Sequence, residues 1–317
     1  MALAKSRPHK EQPVTSLRAN WMKRLIRKTV KPLLSPETTI ETQRFFADIS
    51  LQLNVLPKGT HIVATEIAGR YAEWVSHEEV STEHVVLYFH GGAYNIGSAK
   101  SHRNLTSHLA KAMQCPILVL DYRLAPEHPF PAALSDATSA YQWLLDHDHE
   151  PEHIAIAGDS AGAGLVMATA LELKQRNLPM PAVLGAISPW VDMTMSGESV
   201  TSKAELDPMI RKDWLDEMIN NYAIDVDPAS PLCSPIFADL AELPPIFIQV
   251  GSDEILLDDA VRLAQRAEAT GTPVELQIWE DMWHVWHFQA GILPESDQAI
   301  EEFANALKQE FVSKGFE

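Results

Sequence analysis

The stretch that decides the fold is HIAIAGDSAGAG at residues 153–164, where an apolar run gives way to a serine among small residues. A run as short and as apolar as His153 to Ala157 reads as a strand covered on both faces. Gly158-Asp159-Ser160-Ala161-Gly162 then stands between that strand and a helical pattern of small residues. This strand, turn and helix context is the one a nucleophile elbow requires. The sharp turn strains the serine and brings neighbouring backbones close, so the flanking positions must be small. Gly158, Ala161, Gly162 and Gly164 meet that demand, which makes Ser160 the candidate nucleophile. The competing reading, a Gly-rich helix start that binds phosphate, lacks the lysine of a P-loop.

Working outward, His84 to Phe89, Pro116 to Leu120, Ala182 to Ile187 and Pro245 to Val250 are further short runs of Val, Ile and Leu bounded by turn residues. Helical patterns separate them, notably Ala132 to Leu145, Ala161 to Gln175 and Leu257 to Ala269. Alternating strands and helices predict an α/β fold with a mostly parallel central sheet flanked by helices. Before it, His61 to Ser76 alternates about Gly69-Arg70 and predicts an edge hairpin. Earlier still, Trp21, Met22, Leu25, Ile26 and Val30 recur at helical spacing with basic residues on the other face, so the apolar stripe is expected to be buried. A second helix is expected to start near Ser35, where Ser-Pro-Glu offers a cap, and to end before Pro57. Between Trp190 and Pro244 the alternation stops, apart from a helical pattern over Lys212 to Tyr222. That reads as an insertion above the carboxyl edge of the sheet, where ligand crevices form in α/β folds.

A chain of 317 residues with 46% hydrophobic composition can bury one large core, so residues 1–317 are expected to form a single domain. The net charge of -18 argues against a nucleic-acid surface. Residues 1–31 hold nine Lys or Arg against the single acid Glu11, which leaves the remainder near -26. Lys23, Arg24, Arg27 and Lys28 interrupt every apolar stretch that could serve a secretory signal, and no stretch suits a membrane span, so a cytoplasmic location is expected. Cys115 and Cys233 read as buried thiols, and His147 and His149 as solvated. No catalytic metal and no cofactor are expected.

A serine nucleophile needs an oxyanion site, a base and an orienting carboxylate. His90-Gly91-Gly92-Ala93-Tyr94 follows a buried strand, and small residues there let backbone N–H groups face a reacting carbonyl. Gly91 and Gly92, with Ala161 just after the serine, are the candidate donors. Asp253 follows the strand Pro245 to Val250, and His284 follows the next, Val274 to Trp279. The order Ser160, Asp253, His284 is the one expected for this type of fold. His287 is the rival base, while Asp258, Asp259 and Asp281 read as solvated or capping carboxylates. Tyr94, Trp190, Met209, Trp214 and Trp286 are candidates for an apolar substrate pocket, although core packing suits each tryptophan equally well.

The segments HGGAY at 90–94, DYRLAPEHPFPA at 121–132 and GDSAGA at 158–163 together resemble the hormone-sensitive-lipase-like family of α/β-hydrolase esterases, over about residues 60–315. The resemblance implies the triad and oxyanion roles just assigned and a helical cap, here about residues 1–55 and 190–244. Ala93 replaces the family's third glycine, and Val285-Trp286 replaces the usual Gly-Phe after the histidine. The N-terminal segment is also similar to bacterial members described as ε-lactone hydrolases. The implied activity is cleavage of short-chain carboxylic esters or lactones through an acyl-enzyme on Ser160. An acyltransferase with a non-water acceptor, or a non-catalytic small-molecule receptor of the same fold, are the alternatives. The expected ligand is a small neutral ester or lactone, with no nucleic acid and no integral membrane segment. A homodimer is compatible with the sequence, which leaves the oligomeric state open.

Overall fold

In the computed structural model, which describes residues 15–50, 56–78, 80–81 and 83–313, the run containing Ile154 to Asp159 forms β5 of an eight-stranded sheet. The other strands are β1 (Thr60–Ile67), β2 (Arg70–His77), β3 (Val85–Phe89), β4 (Ile117–Leu120), β6 (Val183–Ile187), β7 (Ile246–Gly251) and β8 (Val274–Trp279). Their order is β1-β2-β4-β3-β5-β6-β7-β8. β2 runs antiparallel to both β1 and β4, and every pair from β4 to β8 is parallel. All residues of β3, β4, β5, β6 and β7 are buried. Alternate side chains serve two cores: Val85, Leu87 and Phe89 point to one, Val86 and Tyr88 to the other.

Helices α4 (Ala132–Asp146), α5 (Ala161–Gln175) and α8 (Leu257–Ala269) fill the first core through Leu134, Tyr141, Leu165, Met167 and Leu263. The second core is closed by α3 (Arg103–Met113) and α9 (Pro294–Ser313), which supply Leu105, Leu109, Phe303 and Leu307. Neither α3 nor α9 was singled out by periodicity. The segment after β6 holds the short α6 (Ser199–Ser202) and α7 (Lys212–Tyr222), the latter as its apolar spacing predicts.

Two N-terminal expectations need correction. α2 spans Ile40–Ser50, so Ser-Pro-Glu does not open it. The Ser35 hydroxyl instead donates to the Pro32 carbonyl in a turn, and the Thr39 hydroxyl accepts the Thr42 amide at the true helix start. α1 (Leu17–Thr29) is present, but its apolar stripe is not buried as a unit. Ala19 and Ile26 are covered, whereas Trp21 is 63% exposed and Leu25 38%. The helix docks through Ala19 and Ile26, which pack with Trp279, Trp283 and Trp286, and through a basic edge, Lys23, Arg27 and the nearby Lys31. Arg27 donates to the carbonyls of Glu205 and Leu206, and Lys31 to those of Ala204 and Asp207. Long basic side chains reach exposed carbonyls that Trp21 could not satisfy.

Candidate active site

β5 ends in a strained turn. Ser160 has φ 54° and ψ -121°, its amide donates to the Ile187 carbonyl at 2.8 Å, and its carbonyl accepts from Gly164 and Trp190 at 3.1 Å each. The need for small neighbours is literal. A Cβ on Gly158 would stand 2.6 Å from the Phe89 carbonyl oxygen, and one on Gly162 would overlap the carbonyls of Phe89 and His90. The end of β3 is thus pressed against the turn that carries the serine. Asp159 is buried beside it, where its carboxylate accepts from the Tyr88 hydroxyl at 2.8 Å and the Gly91 amide at 3.1 Å. Burial alone would raise its pKa; His102 and these hydrogen bonds outweigh it and hold the carboxyl below its ordinary value.

The loop after β8 brings His284 Nε2 to 2.9 Å from Ser160 Oγ. Its other nitrogen, Nδ1, lies 2.8 Å from Glu254 Oε2. A carboxylate can only accept, so the Nδ1 proton points to Glu254 and Nε2 is free to accept from the serine hydroxyl. The expected orienting residue, Asp253, is therefore displaced by its neighbour. Asp253 pairs with Lys23 of α1, while its amide donates to the Met282 carbonyl at 3.0 Å. That bond keeps residue 253 alongside the β8 loop with its side chain turned out to α1. Glu254 turns back inward. Its Oε1 accepts from the Ser188 hydroxyl and the Gly251 amide, both at 2.7 Å. The longer glutamate stem is what lets one carboxylate reach the end of its own strand and the histidine together. Ser188 and Glu254 were missed by sequence reasoning; the adjacent acids of Asp253-Glu254 were the available signal.

The rival base is elsewhere: His287 Nε2 lies 2.9 Å from Gln249 Oε1. Burial pushes its pKa down to about 3. Burial acts on His284 in the same direction, but the hydrogen bond and charge of Glu254, with the charges of Asp207 and Asp159, outweigh it and raise its pKa above 6.5. Asp258 accepts from the Ser199 amide, Asp259 from the amides of Val191 and Asp192, and Asp281 from the Thr15 hydroxyl. None of these carboxylates has a hydrogen bond to His284.

Of the three oxyanion candidates, Gly91 is occupied: its amide donates to Asp159 Oδ1 at 3.1 Å and to His102 Nε2 at 3.2 Å. Among the described residues, no acceptor engages the amides of Gly92, Ala93 or Ala161. The loop is held by Tyr122, whose hydroxyl donates to the His90 carbonyl at 2.7 Å and whose ring stacks on His90. Gly92 has φ 119°, and a Cβ there would overlap the Ile96 carbonyl, so only glycine fits. The remaining residues of the 121–132 string act as braces. Arg123 forms a two-pronged pair with Asp136, and Glu127 one with Arg44 of α2.

The apolar candidates fall into two groups. Tyr94 stacks on Tyr222 of α7 at 4.0 Å, with Trp190 beside it at 6.3 Å, and the Trp190 amide is bonded to the Ser160 carbonyl. Trp214 of α7 donates to Gln43 of α2 at 2.9 Å. Trp286 lies apart, with Trp279, Trp283 and the buried Ala19 and Ile26 of α1, and Met209 is half-buried between the two groups. Both cysteines are free and buried, and among the described residues no cluster of metal-ligating side chains and no helix long and apolar enough to cross a membrane occurs.

The α/β-hydrolase fold family matches residues 86–288. An esterase of the bacterial hormone-sensitive-lipase family superposes with a TM-score of 0.90 at 40% identity, over 94% of this chain and 100% of that one. The chain belongs to the hormone-sensitive-lipase-like family of α/β-hydrolase esterases. Family membership extends to curated relatives. An acetyl-hydrolase of Streptomyces hygroscopicus is 44% identical over 230 residues, 73% of this chain and 77% of its own. An esterase of Acinetobacter venetianus is 38% identical over 245 residues, 76% of this chain and 80% of its own. In this esterase, as in any member of the family, the side chains around the serine decide the substrate.

Proposed function

We propose that the enzyme hydrolyses short-chain carboxylic esters, including cyclic ones, through an acyl-enzyme on Ser160. The observation that carries the reading is the unbroken line from Ser160 Oγ through His284 to Glu254 at 2.9 and 2.8 Å. In the first half-reaction His284 Nε2 takes the hydroxyl proton as Ser160 Oγ attacks the carbonyl carbon. The oxyanion that forms meets the unengaged amides of Gly92 and Ala161, with Ala93 as the third donor in place of Gly91. Glu254 stabilises the imidazolium, which then protonates the leaving alcohol. Water, deprotonated by the same imidazole, releases the acid and restores Ser160. A lactone follows the same course with its alcohol still tethered.

The names of the acetyl-hydrolase and esterase relatives support a small acyl group, and the buried aromatic wall of Tyr94, Trp190 and Tyr222 supports a compact apolar pocket. We read residues 1–317 as one domain, with α1, α2 and the 190–244 segment as its cap. Trp214 to Gln43 and Arg27 to Glu205 join those pieces to one another. The basic interruptions at Lys23, Arg24, Arg27 and Lys28 support a cytoplasmic location.

Ser160→Ala tests the reading. The folded variant should lose p-nitrophenyl ester and lactone hydrolysis by several powers of ten. Retention of more than about a tenth of wild-type turnover would exclude Ser160 as nucleophile. A panel of acyl lengths and lactone ring sizes, with and without added alcohol, assigns the substrate class and separates hydrolysis from transfer.

A further inference from the structure

One buried carboxylate is left over once the triad is assembled. Asp207, in the segment between β6 and β7, is completely buried. Its two oxygens bond in different directions. Oδ1 accepts from the amides of Met209 and Ile210 at 2.8 and 2.9 Å, in its own segment. Oδ2 accepts at 3.0 Å from the amide of Ile255, the residue directly after Glu254. The Asp207 carbonyl in turn receives Lys31 Nζ at 2.6 Å, from just beyond α1. Asp207 thus joins three pieces of chain: the segment following α1, the 204–210 stretch and the loop that carries the triad acid.

An asparagine cannot do the same. Both bridges need an acceptor, and an amide has only one. No cation is hydrogen-bonded to the carboxylate among the described residues, so its charge is held by three N–H groups alone. A buried charge without a direct ionic partner is expensive to keep. The group that gains from it is His284: the charge of Asp207 favours the imidazolium, as do those of Glu254 and Asp159.

We propose that Asp207 is a positioning residue of the acid–base pair, fixing the backbone that follows Glu254 and presenting a further negative charge to His284. It never touches substrate. Glu254 sets the tautomer by direct contact; Asp207 keeps Glu254 in reach and adds to the field in which the imidazolium forms. His284 meets Glu254, Asp207, Asp159 and His287, and Asp207 meets His284 and Lys31. Lys31 is itself surrounded by Arg27, Glu205 and Arg211. The proposal rests on His284 being the base and Glu254 its partner.

Asp207→Asn and Lys31→Met, measured in the full chain at low salt, test it. The readout is the pH profile of kcat/KM together with kcat and KM for p-nitrophenyl butyrate. Asp207→Asn should lower kcat on the order of tenfold, leave KM within about twofold, and move the rising limb of the profile to lower pH. Lys31→Met removes the cation that offsets Asp207 and should move the limb the other way. A purely structural Asp207 would lower stability and activity without shifting either midpoint. Unshifted midpoints in folded variants overturn the proposal; should Asp207→Asn not fold, an unshifted Lys31→Met does so alone. Glu254→Gln separates the two levels. If that variant stays fully active, the base assignment fails; if it is inactive while the Asp207 and Lys31 midpoints do not move, only the role of Asp207 fails.

Discussion

Replacing Glu254 by glutamine and, separately, Asp253 by asparagine distinguishes two adjacent acids that differ by one position in sequence and by a large factor in consequence. The Glu254 carboxylate accepts three hydrogen bonds, from His284 Nδ1, the Ser188 hydroxyl and the Gly251 amide. A glutamine has one acceptor oxygen to serve them. If that oxygen keeps Ser188 and Gly251, the NH₂ faces Nδ1 and forces the imidazole proton onto Nε2, where it can no longer accept from Ser160. A base held in the wrong tautomer costs about 10⁴ in kcat in the Ser-His-Asp triad. If the glutamine flips, Nδ1 keeps an acceptor but two buried donors lose theirs, at about 1–3 kcal/mol each. The flip is therefore disfavoured, and kcat should fall by roughly 10³ to 10⁴. The Asp253 carboxylate pairs with Lys23 of α1, turned away from His284, which bonds to Glu254 instead. Asp253→Asn should therefore keep kcat within about threefold, with a small loss in melting temperature. Initial rates on p-nitrophenyl butyrate, with circular dichroism to check the fold, decide the matter. An Asp253→Asn enzyme impaired more than about a hundredfold beside an active Glu254→Gln enzyme would refute the geometric assignment.

The wild-type pH profile supplies a second check. His284 must be neutral to take the serine proton, so kcat/KM should rise with pH, and the midpoint should lie above 6.5 because the three facing carboxylates outweigh burial. A midpoint below 6.5 would mean that burial dominates. Gly162→Ala should lower the melting temperature and the activity together: helix propensity favours alanine by about 0.5–1 kcal/mol, but a Cβ overlapping the carbonyls of Phe89 and His90 costs about 1–3. A variant that melts at or above the wild-type temperature would show that the elbow has room to spare.

Much of the scaffold was legible because its signals are local. Five apolar runs became five buried parallel strands, the hairpin turned where Gly69 permits, and the small residues around Ser160 met the carbonyls they were chosen to avoid. What was not legible depends on where side chains end. Asp253 and Glu254 have the same charge, and only the folded chain shows that Glu254 turns inward to His284 while Asp253 turns out to Lys23. Gly91 looked like a free donor until the carboxylate of Asp159, a residue inside the nucleophile motif itself, claimed its amide. The stripe of α1 was only half right: Ile26 meets the apolar surface of Trp279, Trp283 and Trp286, with Met22 and Val30 packed against it, whereas Trp21 and Leu25 stay exposed and the basic edge beside them meets carbonyl oxygens and Asp253. Trp286, read from its position after His284 as a pocket wall, packs beneath α1 because the Trp279 and Trp283 rings are there to receive it.

The placement of β8 at the far edge of the sheet also sets a clock. Serine and imidazole are 124 residues apart, so a chain emerging from a ribosome at about 5–20 residues per second carries the elbow for roughly 6–25 s before the base exists. During that interval β3 can already lie against β5, with Phe89 opposite Gly158, and the serine is present but unactivated. Covalent labelling by an acylating probe would therefore date the docking of β8 and its loop, and would remain blind to the pairing of the strands that precede it.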